Sequence, residues 1–264
     1  MLDALYIGAT GMHAQQTNVE TIANNLANVN TTGFKKARVN FSDLVARQAL
    51  NVSAAGADFE AGPLTQGLRS GAGVGIAGVS RLFDIGDMKK TESPFDIAIQ
   101  GEGFLEVLMP DGSSAYTRGG TLKVNQDGQL ATLTGLPFKP GITVPDGANE
   151  LAIDANGTVL ARVSGQADFQ EIGKLELVRF ANPQGLEATG DGIFRNNTVS
   201  GDAILVPFGS EQESKFAQGY LEGSNVKMVD EMINLMVAQR TYEANTKVVQ
   251  AADEMLGMIN ALRR

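Results

Sequence analysis

The apolar residues near both ends of the chain recur every seven positions, over residues 5–29 and 226–259. A seven-residue repeat places its members on one stripe of a helix, suited to packing against a second helix. Either stripe could also belong to an ordinary amphipathic helix on a globular core. Because neither stretch adjoins the rest of a helical domain, the pattern favours two terminal helices paired in a coiled coil. The N-terminal stripe comprises Leu5, Met12, Val19, Ile22, Leu26 and Val29, and the C-terminal stripe comprises Leu235, Ala238, Tyr242, Val249, Ala252, Leu256 and Ile259.

Asparagine is dense where the first stripe ends. Asn is a mediocre helix former, so the cluster needs an explanation. Asn28 and Asn30 are typical of a helix stop. Asn24 and Asn25 are predicted instead to bond to neighbouring helices and fix their register, as a polar residue in a coiled-coil seam does. Before the second helix, Ser224 is the predicted N-cap.

The middle of the chain has the pattern of β structure. Its 31 glycines, against 8 prolines, concentrate there and make turns frequent. Short runs of alternating apolar residues lie between Asp-Gly and Asn-Gly turns, which predicts an all-β domain of sandwich or barrel-like type. The predicted strands lie at 95–99, 122–124, 174–180, 193–195 and 203–206, with a hairpin at 151–160.

Residues 36–90 form a transitional stretch. Its first part fits either a helix or an extended segment. The Gly- and Ala-rich part that follows predicts an extended segment lying over neighbouring subunits, with strand pairing near 74–79. Gly73, Gly75 and Gly78 satisfy the spacing G-x-G-x-x-G. A nucleotide site is not predicted, because no buried strand precedes these glycines and no helix start follows them.

These patterns together predict an α+β protein. The predicted parts are an N-terminal coiled-coil helix at 1–35, an extended linker at 36–90, a β-rich outer domain at 91–220 and a C-terminal coiled-coil helix at 221–264.

The charge balance excludes some partners. The net charge is −9 and the pI is near 4.7, which disfavours nucleic-acid binding. The tightest basic cluster, Lys35, Lys36 and Arg38, is predicted to be a solvated face or a partner contact. The chain contains no run of about 20 apolar residues, so no membrane span is predicted. The first ten residues lack a basic segment and an apolar core, so no cleaved signal peptide is predicted, and any export would use another route.

The chain offers little to catalysis. It has no cysteine and a single histidine, His13, so neither a thiol nucleophile nor a His-rich metal site is predicted. Asp154 begins a faint calcium-loop pattern, but the position that would carry the glutamate ligand is Gly165. Chance carboxylate pairs, such as Glu211 and Glu213, are usually solvated charge. We therefore expect no enzyme activity and no cofactor.

Three stretches resemble the flagellar rod and hook family of axial proteins. They are ANNLANVNTTGFK at 23–35, SPFDIAIQGEGFLEV at 93–107, and the long closing run QGYLEGSNVKMVDEMINLMVAQRTYEANTKVVQAADEML at 218–256. The resemblance covers nearly the full length and is weakest at 48–75. Within the family, GSSAYTRGGTLKVNQDGQLAT at 112–132 is most similar to subunits of the distal rod. The signature residues carried over are Asn24, Asn25, Leu26, Asn28, Thr32, Gly33, Phe34, Arg240, Tyr242 and Glu243.

The resemblance implies a structural subunit that self-assembles into a rigid helical tube. In that family the N- and C-terminal helices pair as one inner core around the axis of the tube, and the β domain projects outward from it. Such a drive shaft would transmit motor torque across the periplasm to the hook, within the flagellar basal body. The implied partners are further copies of the chain, proximal rod proteins, the hook protein, the P- and L-ring bushing proteins and the flagellar export apparatus. Two alternatives stay open. One is a hook or proximal-rod subunit of the same family, and the other is a secreted β-domain binding module on a helical oligomerisation stalk.

Overall fold

The fold is α+β, with a helix at each end of the chain. The structure is a computed structural model that describes residues 2–47, 69–164, 168–206 and 214–262. Helix α1 spans Leu2–Ala27 and helix α2 spans Met228–Leu262. The two predicted terminal helices are therefore confirmed. Asn28 and Asn30 are also confirmed as the stop of α1, since a turn follows Ala27 directly.

The chain divides into two compact units. The first unit contains residues 1–24, 37–80 and 229–264, which bring together α1, nearly all of α2 and a two-stranded sheet. Strand β1 spans Ala37–Arg47 and strand β2 spans Arg69–Arg81. The strand predicted near 74–79 is thus confirmed, and the segment after α1 is extended rather than helical. The weakest part of the resemblance falls largely on 48–68, outside the described residues.

Strand β2 lies directly against α1 within the first unit. The Val74 N–H donates a hydrogen bond to Thr10 Oγ1 at 3.4 Å. A Cβ on Gly73 would collide with the same hydroxyl, and Gly73 has φ +111°, which L side chains rarely adopt. Gly73 therefore permits a close approach of strand to helix. Packing of β2 against α1 thus accounts for the first glycine of the G-x-G-x-x-G spacing.

The second unit contains residues 25–36 and 81–228 and is built from short strands. The strands are β3 Met88–Lys90, β4 Asp96–Gln100, β5 Phe104–Leu108, β6 Ser114–Thr117, β7 Gly119–Val124, β8 Leu130–Thr132, β9 Ala148–Ile153, β10 Thr158–Val163, β11 Gln170–Lys174, β12 Leu177–Arg179, β13 Glu187–Gly190, β14 Ile193–Arg195, β15 Ile204–Leu205, β16 Lys215–Gln218 and β17 Tyr220–Glu222. A 3-10 turn, Pro183–Gly185, precedes β13.

These strands form antiparallel sheets. The largest has the order β13-β14-β6-β5-β12-β15, and a four-stranded sheet has the order β16-β4-β7-β8. A three-stranded sheet, β11-β10-β9, and a ribbon, β17-β3, complete the unit. In the part of the chain that the structure describes, none of these sheets closes into a barrel. The predicted strand regions overlap with observed strands, except that 174–180 was predicted as one strand and contains the end of β11 and all of β12.

One apolar core joins the three larger sheets of the second unit. Ile97 and Ile99 come from the four-stranded sheet, Leu105 and Val107 from the six-stranded sheet, and Val159 from the three-stranded sheet, all at most 1% exposed. The β5–β6 register pairs Leu105 with Thr117 and Val107 with Ala115, so alternate residues of both strands share the core face. A satellite cluster of aromatic residues surrounds Phe104.

Helix α2 begins later than the sequence predicts. Ser224 does not cap the helix, because α2 begins four residues later; its hydroxyl instead accepts a hydrogen bond from the Val226 N–H at 3.3 Å. Neither α1 nor α2 has the length and apolarity needed to cross a membrane, within the described residues.

Candidate assembly surface

The two terminal helices contact each other through small and polar residues. A Cβ on Gly8 would lie 2.6 Å from Val249 Cγ2, and one on Gly11 would lie 2.8 Å from Asn245 Nδ2. The Thr246 hydroxyl also donates a hydrogen bond to Met12 Sδ at 3.5 Å. Glycine is therefore required where the helices approach most closely.

The buried stripe of α2 follows the heptad spacing but includes polar members. Glu231, Ala238 and Ala252 are 5%, 2% and 2% exposed, and Asn245 is half-buried at the same seven-residue spacing. Apolar periodicity could not find Glu231 and Asn245, because it does not count polar side chains. The sequence signal that could have found them is their place in the heptad, because each lies seven residues from Ala238.

The predicted stripe residues fall into three groups by burial. Ile22, Ala238 and Ala252 are buried. Tyr242 and Ile259 are 42% and 49% exposed in the single chain. The remainder are half-buried, namely Leu5, Met12, Val19, Leu26, Val29, Leu235, Val249 and Leu256. Because Gly8 and Gly11 form the contact, the large apolar residues of α1 lie beside it rather than at its centre.

The family-signature residues are spread over both units. Asn25 is 2% exposed and Asn24 is exposed, and the bonds to neighbouring helices predicted for both stay a prediction. Gly33 has φ +68°, so it supplies the left-handed turn after α1. Arg240 and Glu243 are exposed on α2, as is Thr32 after α1, whereas Leu26, Asn28 and Phe34 are half-buried.

A broad apolar surface covers the first three turns of α2 on the side away from α1. We call it the far face and define it by Val229, Met232, Ile233, Met236 and Val237, which are 54–68% exposed. At about 100° per residue, these positions lie roughly 100–180° around the helix from Ala238. Exposed apolar side chains in such a contiguous patch mark an interaction site. The far face is the candidate assembly surface.

The close helix contact leads to a prediction about two glycines. Gly8→Ala places a methyl group against Val249, whereas Gly257→Ala on α2 meets open space. Alanine favours a helix over glycine by about 1 kcal/mol. We expect Gly257→Ala to raise the thermal midpoint of the helical circular dichroism signal and Gly8→Ala to lower it. Equal shifts for the two variants would contradict the contact.

The second unit contains a buried ionic junction centred on Glu222. Its carboxylate accepts hydrogen bonds from Lys35 Nζ at 2.6 Å, Arg118 Nε at 3.1 Å and the Gly86 N–H at 2.9 Å. The side chains of all three charged residues are at most 3% exposed. Lys35 also donates to the Asp84 carbonyl at 2.7 Å. Every charge in the junction therefore has a partner, as burial demands.

Backbone groups extend the junction around Asn225. Its side-chain oxygen accepts from the Lys36 N–H at 2.7 Å, and its amide donates to the Leu82 carbonyl at 2.8 Å. The Arg81 guanidinium lies 5.7 Å from the centre of the Phe34 ring and donates to the Lys35 carbonyl. Three segments distant in sequence, near 33–36, 81–86 and 222–225, are thus joined at one point.

The charges at the junction shift the pKa of its members. Burial alone would raise the pKa of Glu222, but Arg118, Lys35 and their hydrogen bonds hold it below its ordinary value. Burial lowers the pKa of Lys35, and the Glu222 carboxylate opposes that shift. The prediction that Lys35 belongs to a solvated face or partner contact was wrong, because its side chain is fully buried. In that basic cluster Arg38 is exposed and Lys36 is half-buried.

The described residues contain no cluster suited to a metal ion. No group of three or more His, Cys, Asp or Glu side chains there could hold a metal ion. His13 is exposed on α1. At the junction, Lys35, Arg118 and Glu222 bond to one another and to nearby backbone groups. This arrangement is suited to holding chain segments together.

Comparison with known proteins matches three parts of the chain to flagellar families. Residues 5–35 match the family described as flagella basal body rod protein, and residues 98–161 match the flagellar hook protein FlgE/F/G D1 domain. Residues 217–262 match the flagellar basal body rod FlgEFG protein C-terminal family. The matches include α1, part of the β-rich unit and α2.

Full-length relatives carry the same name. The chain is 42% identical to the flagellar basal-body rod protein FlgG of Borreliella burgdorferi, over 100% of both chains. It is 40% identical to that of Caulobacter vibrioides, over 99% of this chain and 100% of the relative, and 39% identical to that of Agrobacterium fabrum, over 97% and 98%. With this identity over its whole length, the chain belongs to the FlgG family of flagellar basal-body rod proteins.

Proposed function

We propose that this structural subunit of the flagellar distal rod assembles by burying the far face of α2 against a second copy of the chain. The observation that carries the proposal is the contiguous exposure of five large apolar side chains opposite the contact with α1. A heterologous contact that does not close on itself generates a helical filament. The subunit would thereby build a tubular drive shaft that transmits torque to the hook.

Burial of the far face alone contributes too little free energy to hold a subunit firmly in the rod. Full burial of a Val, Ile or Met side chain contributes about 1.5–3 kcal/mol relative to full exposure. Since the five side chains are about half exposed, their burial contributes roughly 4–8 kcal/mol per subunit. Association itself costs at least about 4 kcal/mol. One far face is therefore marginal, and a stable rod needs further contacts from each subunit.

Other apolar side chains in the first unit supply such contacts. Tyr6 and Ile7 on α1 are 57% and 40% exposed, and Tyr242 and Ile259 on α2 are similarly exposed. Within the subunit, α1 and α2 would pair as a coiled coil through the stripe that includes Gly8 and Gly11. The β-rich residues 91–220 would then form a sandwich-like outer domain, a reading supported by the core that its sheets share.

The remaining expectations follow from membership of a rod family. We place the chain in the periplasm-spanning rod of the basal body, exported without a cleaved signal peptide and without a cofactor or enzyme activity. Its partners there would be proximal rod proteins, the hook protein, the P- and L-ring proteins and the export apparatus. The exposed, acidic chain would limit adhesion to the surrounding rings.

Electron microscopy of basal bodies from a strain lacking this chain tests the proposal. We expect a rod that stops short, with neither hook nor outer ring, restored by the wild-type gene on a plasmid. A complete rod without a hook would reassign the chain as a hook component. Intact and motile flagella would remove it from the axial structure.

A further inference from the structure

Two of the five side chains of the far face are methionines. Met232 and Met236 are one helical turn apart and 54% and 55% exposed. We infer that Met232 and Met236 are oxidation sites, and that their conversion to methionine sulfoxide by a peroxide blocks addition of the subunit to the rod. The inference rests on the proposed function, because it needs the far face to be buried on assembly.

The chemistry needs only hydrogen peroxide and the exposed thioether. The sulfur attacks one peroxide oxygen, a sulfur–oxygen bond forms and the oxygen–oxygen bond breaks. The departing hydroxide takes the proton from the transferred oxygen and leaves as water. Sulfur is oxidised by two electrons and the peroxide is reduced by two, so no other reactant is required. The product is reversible by methionine sulfoxide reductases.

The far face offers a sulfoxide no compensation once it is buried. Its other members, Val229, Ile233 and Val237, have no side-chain hydrogen-bond donors. A strongly polar oxygen placed among them loses its water and gains no hydrogen bond from them, which is unfavourable. The free subunit suffers no such penalty, because both methionines face solvent there. Oxidation therefore opposes assembly while leaving the fold of the subunit intact.

Burial distinguishes these methionines from two others in the chain. Met109 packs against the core of the β-rich unit, and Met12 is half-buried and accepts a hydrogen bond from Thr246. Oxidation follows exposure, so both should react more slowly than Met232 and Met236. Met255 and Met258, also on α2, are 42% and 60% exposed but lie outside the far face. They provide an internal control.

Seeded elongation is the test. Purified chain, untreated or oxidised with hydrogen peroxide, is added to rods isolated from a strain lacking this chain, and bound protein is measured by pelleting. Peptide mass spectrometry reports the sulfoxide at each methionine. We expect complete oxidation to raise the concentration for half-maximal binding at least tenfold, and methionine sulfoxide reductases to restore it.

Paired variants separate the far face from the rest of the helix. Met232→Leu with Met236→Leu keeps the apolar volume and should elongate rods with or without peroxide. Met255→Leu with Met258→Leu should remain peroxide-sensitive. Normal elongation by fully oxidised wild-type chain, or sensitivity that persists in the Met232 and Met236 variant, would overturn the inference. Failure of the untreated wild-type chain to elongate any rod would instead count against the proposed function.

Discussion

Replacing Ile233 and Met236 by aspartate is expected to abolish incorporation of the chain into the rod while the β-rich unit still folds. Both side chains belong to the far face and are 55% exposed in the single chain. An unpaired carboxylate buried in an apolar contact costs several kcal/mol. Two such charges therefore exceed the roughly 4–8 kcal/mol that the far face contributes. Motility in soft agar and immunoblots of purified basal bodies provide the measurement.

The control keeps the charge change and moves it along the helix. Gln250→Asp and Asn260→Asp introduce two carboxylates at exposed positions of α2 outside the far face. We expect this double variant to be incorporated at a level closer to wild type. The circular dichroism of both double variants should show unchanged β structure. A motile strain carrying aspartate at 233 and 236 would contradict the assignment of the far face.

Glu222→Gln is expected to destabilise the β-rich unit by about 3–5 kcal/mol at pH 7, the cost of removing one partner from a buried ion pair. The variant keeps the size of the side chain but leaves Lys35 and Arg118 buried without a counter-charge. The matched control is Glu150→Gln, whose partner Arg162 is surface-exposed. That change should cost no more than about 1 kcal/mol. Urea unfolding followed by circular dichroism measures both.

The difference in free energy of unfolding between wild type and Glu222→Gln should also depend on pH. The pKa of Glu222 is lower in the folded protein than its ordinary value of 4.5. Its stabilisation is therefore fully present above about pH 4.5 and is lost as the pH falls through the lowered folded-state pKa. We expect the stability difference between wild type and Glu222→Gln to be constant near neutral pH and to shrink in acid. A difference that stays constant into strong acid would show that Glu222 is not ionised in the folded protein.

The sequence predicted the elements well because their signals are local. Heptad spacing located both terminal helices, and Asp-Gly and Asn-Gly turns located the strands. The helix contact was less accessible, because its closest point uses Gly8 and Gly11, which carry no apolar side chain. The pattern therefore placed Leu5 and Met12 at the centre, although they lie beside it.

The junction could not have been predicted from the sequence. Lys35 and Glu222 are 187 positions apart, and nothing local distinguishes a buried lysine from a solvated one. Within TTGFK, Gly33 is a local turn residue, but the role of Lys35 depends on Arg118 and Asp84. Residues that act through distant partners in this way become visible only in the folded chain.

Cysteine labelling at the far face tests the central claim most directly. The chain has no cysteine, so Met236→Cys introduces a single thiol. The account predicts that a maleimide reagent modifies this thiol rapidly in the purified subunit, fails to modify it in isolated basal bodies, and modifies it again once the rods are dissociated. Equal labelling rates in the free subunit and the intact rod would contradict burial of the far face on assembly.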